Sequence, residues 1–149
     1  MLKISSSDYS AIRRHGEETY PHECCGILIG TIEGDTRTVH SAIPCNNISD
    51  SPRTRYDIDP REVIRAQRKA HERGLDIVGF YHSHPDHPAR WSPSDLEEAH
   101  WNGCSYVIMT VENGQATQTA GFVLVGAREE DKSFAEENFI IEIPGGADG

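Results

Sequence analysis

The stretch YHSHPDHPARWSPSD, Tyr81 to Asp95, carries three histidines and two aspartates in fifteen residues. It continues LDIVGFYH, an apolar, β-branched run that reads as a buried strand. Side chains at i and i+2 share one face of a strand, so His82 and His84 can converge on one ion. Neutral imidazole is the commonest metal ligand, and Asp or Glu oxygen often completes a zinc set. An isolated H-x-H pair also occurs as two ordinary polar residues at a strand end, so the neighbours decide.

Two completions compete. His82, His84, Asp86 and His87 form H-x-H-x-D-H, which resembles the metal motif of the metallo-β-lactamase superfamily. That architecture also needs histidines far downstream, and here the last one is His100. The chain is also short for that fold, so this completion fails. The other completion takes Asp95, with ten residues between it and His84, enough for a loop to turn back from the strand end. Ser92-Pro93-Ser94-Asp95 opens a helix, and Ser-x-x-Asp is itself an N-terminal capping pattern. A capping Ser92 leaves the Asp95 carboxylate free for metal, so the two readings can coexist. Three protein ligands leave a fourth zinc position open, as in catalytic sites. Such a site needs a general base that is not a ligand. Glu23, in PHECCGILIG at the mouth of an apolar strand, is the best candidate, since partial removal from water would raise its pKa.

Around this core the chain reads as alternating elements. A first helix runs roughly from Ser6 to Tyr20, and CGILIGTIEG with TRTVHSAIPC reads as a hairpin of strands. NNISDSPRTR is a polar loop leading to a short extended YDID. Pro60 starts a second helix that Gly74 ends. SPSDLEEAHW opens a shorter third helix. CSYVIMTVE and ATQTAGFVLVG are strands separated by the Asn113-Gly114 turn, and NFIIEI is a last strand. Helices interspersed among strands predict one α/β domain with a mixed sheet flanked by helices. It spans residues 1–143, with PGGADG at 144–149 as a disordered tail.

At 149 residues the chain has the size of one domain. A net charge of −10 disfavours nucleic acid as a partner. No run approaches a membrane span and the N-terminus has no signal-like apolar region. Four cysteines without such a signal predict a reducing, cytoplasmic setting, in which the sequon Asn47-Ile48-Ser49 is a chance match. Arg61, Arg65, Arg68 and Lys69 form a basic face on the second helix, read as solvated rather than as a dock for an acidic partner. Cys24 and Cys25 read as buried packing rather than as thiols that block the zinc. Trp91 either walls a substrate groove or packs against the third helix.

PHECCGILIG, then PREVIRAQRKAHERGLDIVGFYHSHPDHPARWSPSD, then CSYVIMTV closely resemble the JAMM (MPN+) metalloprotease family. Its pattern is a Glu before a C-G-x-L-x-G strand, then H-[ST]-H-P, then S-x-x-D. NNISDSPRTRYDIDP resembles the segment before the family's middle helix, and the similarity runs from about Ser6 to Val125. The resemblance implies a cytidine-deaminase-like MPN/JAB fold and one zinc per chain held by His82, His84 and Asp95. It further implies Glu23 as proton acceptor and donor, and Ser92 as a hydrogen-bond donor to the oxyanion. Compact members of this type look like peptidases or isopeptidases that cut after the C-terminal glycines of a ubiquitin-like or sulfur-carrier protein. The alternatives are a zinc amidohydrolase of small substrates and a zinc-retaining binding module.

Overall fold

A computed structural model describes residues 1–143; the expected tail at 144–149 lies outside the described residues. Eight strands form one mixed sheet: β1 (Leu2–Ser5), β2 (Cys25–Glu33), β3 (Thr36–Cys45), β4 (Asp76–Pro85), β5 (Ser105–Glu112), β6 (Gln115–Val125), β7 (Ser133–Glu137) and β8 (Phe139–Glu142). Their order is β7-β6-β5-β4-β2-β3-β1-β8. Parallel pairs are β1 with β3 and β8, and β4 with β5; the others are antiparallel. The two edge strands are consecutive in the chain and joined through Asn138, so the sheet must curl to bring its edges together. This is the α/β architecture expected from the sequence.

Among the described residues three α-helices, α1 (Ser6–Thr19), α2 (Pro60–Glu72) and α3 (Pro93–Glu98), and a 3-10 turn at Glu129–Asp131 accompany the sheet. Each α-helix begins with a side-chain cap. Ser5 accepts from the Asp8 amide, Asp59 from the Arg61 amide, and Ser92 from the Asp95 amide. Pro60 and Pro93 occupy first-turn positions, where a missing N–H costs nothing. Gly74, at φ 73°, closes α2 in the left-handed conformation that suits glycine.

The sheet is covered on both faces, which explains why β2, β4 and β5 are buried over most of their length. One core joins Ile12 of α1 to Cys24, Leu28, Val78, Tyr81, Val107 and Met109. The other joins Ala66 and Ala70 of α2 to Cys25, Ile27, Phe80 and Tyr106. Alternation along β4 therefore places Phe80, His82 and His84 on the α2 side, and Tyr81 and Ser83 on the α1 side. Gly26 makes room for this: a Cβ there would strike the Tyr81 ring.

Three details differ from the sequence reading. β1 and β7 were not expected as strands. YDID is extended but pairs with no strand, and α3 ends at Glu98 rather than reaching Trp101.

Candidate metal centre

His82 and His84 sit at the end of β4, both buried, and Asp95 stands in the first turn of α3, 9% exposed. Among the described residues, these three form the group of His, Cys, Asp or Glu side chains able to share an ion. The two Nε2 atoms are 3.2 Å apart. Asp95 bridges them, with Oδ1 3.2 Å from His82 Nε2 and Oδ2 3.0 Å from His84 Nε2.

The donor set fits zinc. Bonds of about 2.05 Å in a tetrahedron put neighbouring ligand atoms about 3.3 Å apart, close to the spacings seen. The proton positions point the same way. His84 Nδ1 lies 2.9 Å from the Pro88 carbonyl, which can only accept, so the proton sits on Nδ1. The lone pair of a neutral His84 then faces the cluster from Nε2. Asp95 likewise only accepts, so lone pairs converge on one point and require a cation or a proton there. The Pro88 carbonyl is the kind of outer partner that fixes a ligand histidine's tautomer.

Electrostatics agree. Burial lowers the His82 pKa, opposing its charged form. Burial also opposes charge on His84, but the hydrogen bonds to Asp95 and the Pro88 carbonyl outweigh it and raise its pKa. Burial would raise the Asp95 pKa too; hydrogen bonds from both imidazoles overrule it and hold the carboxyl well below its ordinary range.

Glu23 lies just ahead of β2, 4% exposed, and its Oε1 is buried with no hydrogen-bond partner. Burial pushes its pKa up to about 8, with His84 pulling it down and Asp95 pushing it further up. It lines a cleft of about 480 Å³ together with His84, Ser92, Trp91, Arg90 and Thr54. Ser92 forms a reciprocal cap with Asp95: its Oγ accepts from the Asp95 amide at 3.1 Å, while its own amide donates to Asp95 Oδ2 at 2.9 Å. An accepting Oγ still carries its own proton, which can point to Ser94 Oγ at 3.1 Å or into the cleft.

Several residues take other parts. Asp86 is exposed and faces away, accepting from the Tyr20 hydroxyl at 2.6 Å and the Asn113 amide at 2.9 Å. It joins no metal group and instead ties the turn after β4 to the turn after β5. His87 lines the cleft without joining the cluster. Cys24 points into the α1-side core and burial lifts its thiol to about 11; Cys25 packs on the α2 side and is lifted further. Both are packing residues. Trp91 lines the cleft and packs against Phe134 of β7, ring centroids 5.7 Å apart and planes tilted by 59°. Arg61, Arg65, Arg68 and Lys69 are exposed, and Arg61 pairs with its own helix cap, Asp59.

The sequence reading assigned no role to three residues at the site. Tyr56 stacks on the His82 ring, centroids 4.3 Å apart and planes 20° apart, and separates it from an apolar groove of about 450 Å³ beside α2. Ser83 Oγ accepts from the Cys24 amide at 2.8 Å and its own amide donates to the Cys24 carbonyl, fastening β4 to the residue after Glu23. Asn47 holds the Glu23 carbonyl at 3.0 Å. Only the hydrophilic spacing within H-S-H hinted at any of these.

The chain is 42% identical over 111 residues to the desampylase of Haloferax volcanii, covering 72% of this chain and 78% of that protein. It is 36% identical over 104 residues to a probable TtuB-protein conjugate cleaving protease of Thermus thermophilus, covering 70% and 66% respectively. A solution structure of a Desulfitobacterium hafniense protein superposes with TM-score 0.81 at 29% identity, covering 96% of this chain and 94% of that one. One from Salinibacter ruber gives 0.70 at 37%, covering 95% and 92%. Residues 5–125 match the family described as prokaryotic homologs of the JAB domain, and the chain belongs to that family.

Proposed function

We propose that the protein is a zinc-dependent peptidase or isopeptidase that hydrolyses the amide after the C-terminal glycines of a ubiquitin-like or sulfur-carrier protein. One observation carries this reading: Glu23, whose buried Oε1 has no hydrogen-bond partner, lines the same cleft as Ser92 and as His84 of the three-residue His-His-Asp cluster. The names of the Haloferax and Thermus relatives support the substrate class.

His82, His84 and Asp95 would hold one zinc, which when bound supplies Lewis acidity toward the scissile carbonyl and toward water. Asp95 contributes the negative charge, and the Pro88 carbonyl keeps His84 in the ligating tautomer. Glu23 takes the proton from the attacking water and returns it to the leaving amine. A carboxyl lifted toward neutrality by burial suits both halves of that transfer. Ser92 directs its hydroxyl proton to the oxyanion while its oxygen continues to cap α3. No helix among the described residues is long and apolar enough to cross a membrane, and a cytoplasmic setting suits four free, buried cysteines.

The test is turnover of a Gly-Gly-terminated ubiquitin-like carrier fused to a peptide. The zinc-loaded protein should cleave after the second glycine, a chelator should abolish cleavage, and added zinc should restore it. Cleavage that persists at full rate after complete metal removal would overturn the reading.

A further inference from the structure

The loop between β3 and α2 is fastened by one side chain, Asn47. Its Oδ1 accepts from the amides of Ser49 and Asp57, both at 3.0 Å. Its Nδ2 donates to the Arg55 carbonyl at 2.9 Å and, more weakly, to that of Pro52 at 3.5 Å. The same Nδ2 reaches out of the loop to the Glu23 carbonyl at 3.0 Å. The Glu23 amide in turn donates to the Pro52 carbonyl at 2.7 Å. Both main-chain polar groups of Glu23 are therefore held by the loop that Asn47 organises. The loop also delivers Tyr56 onto the face of His82. The Glu23 side chain, by contrast, has an oxygen with no partner at all, so its place in the cleft is set through the backbone.

We infer that Asn47 is a positioning residue for the Glu23 base, acting through the main chain; this rests on the function proposed above. The amide is required at both ends. Aspartate would keep the acceptor for Ser49 and Asp57 but set an anion against three carbonyl oxygens, and alanine would remove both halves. Displacement of a catalytic group by about 1 Å can cost roughly 100-fold in rate.

Asn47→Ala and Asn47→Asp, both loaded with zinc, should lose kcat about 10- to 100-fold on the carrier fusion while KM moves less than about threefold. Zinc content should be unchanged, since the ligands stand on β4 and α3. Hydrogen exchange at the Glu23 amide should accelerate in both. Ser49→Ala is the control: it removes the oxygen that accepts from the Ser51 amide, loosening the same loop without touching Glu23. A wild-type kcat in Asn47→Ala, or an equal kcat loss in Ser49→Ala, would overturn the proposal. Should the wild type itself fail to cleave the fusion, the function fails, and the exchange measurement still decides Asn47: unchanged protection of the Glu23 amide refutes it.

Discussion

The sheet carries a buried charged group at each end, and the two are built differently. Where β3 and β5 begin, Arg37 donates to Ser105 Oγ at 2.7 Å, the Gly103 carbonyl at 3.3 Å and Glu137 Oε1 at 2.9 Å. Cation and anion are both supplied by the chain. Where β4 ends, His82, His84 and Asp95 supply an anion and two imidazoles but no permanent cation. The first group is balanced in charge and ties β3, β5 and β7 together. The second is complete only with a proton or an ion. Burial alone does not mark a functional site; the missing charge does.

The sharpest way to break that contrast is to delete a partner at each end. Asp95→Ala should drop zinc from about one per chain to near none and take hydrolysis with it, because two imidazoles alone hold zinc poorly. Metal analysis after desalting checks this, and retained zinc in Asp95→Ala with loss in Asp86→Ala would reverse the ligand assignment. Ser92→Ala should keep zinc and lower kcat about 100- to 1000-fold, with about 1 kcal/mol of stability lost from the cap. If only the stability changes, Ser92 is a cap and nothing more. At the other end, Arg37→Met leaves Glu137 Oε1 with only the Met1 ammonium at 3.2 Å and should cost up to about 3 kcal/mol in denaturant unfolding. Arg37→Met with Glu137→Leu should recover most of that, and zinc binding by the folded protein should be unaffected in either.

The smallest expected effect concerns pH. In the metal-free fold Glu23 keeps its proton up to about 8, against 4.5 for an ordinary Glu. The unfolded chain therefore ionises first as pH rises. Glu23 lowers stability progressively from about pH 4.5 to 8 and is neutral in its effect below that range. Glu23→Gln should stabilise the metal-free protein at pH 8 by at most a few kcal/mol, since a tenfold change in proton affinity is worth about 1.4 kcal/mol. The advantage should vanish near pH 4. An equal difference at pH 4 and 8 would show that Glu23 is not a buried carboxyl.

Much of the site was legible because its parts obey local rules. Apolar continuity marked β4, strand alternation put His82 and His84 on one face, and the Ser-Pro-x-Asp start marked α3 with its carboxylate. What stayed hidden depends on distant partners. β1 is four residues long and exists by parallel pairing with β3 and β8. β7, SFAEE, has no apolar alternation and is a strand because β6 pairs with it. Arg37 looks like an outward residue of β3 until partners 68 and 100 positions away bury it. Asn47 sits in a polar loop where asparagine is an ordinary turn former. Its bonds to four loop residues and to Glu23 exist only once the loop has closed against the start of β2.

The central claim is that metal holding and proton transfer are divided between separate side chains, with His82, His84 and Asp95 on one side and Glu23 on the other. Zinc content and turnover measured together on Glu23→Gln test it most directly. The account predicts about one zinc per chain, as in the wild type, with hydrolysis of the Gly-Gly carrier fusion reduced about 100- to 10,000-fold. Wild-type turnover in that variant, or loss of zinc along with activity, would contradict it.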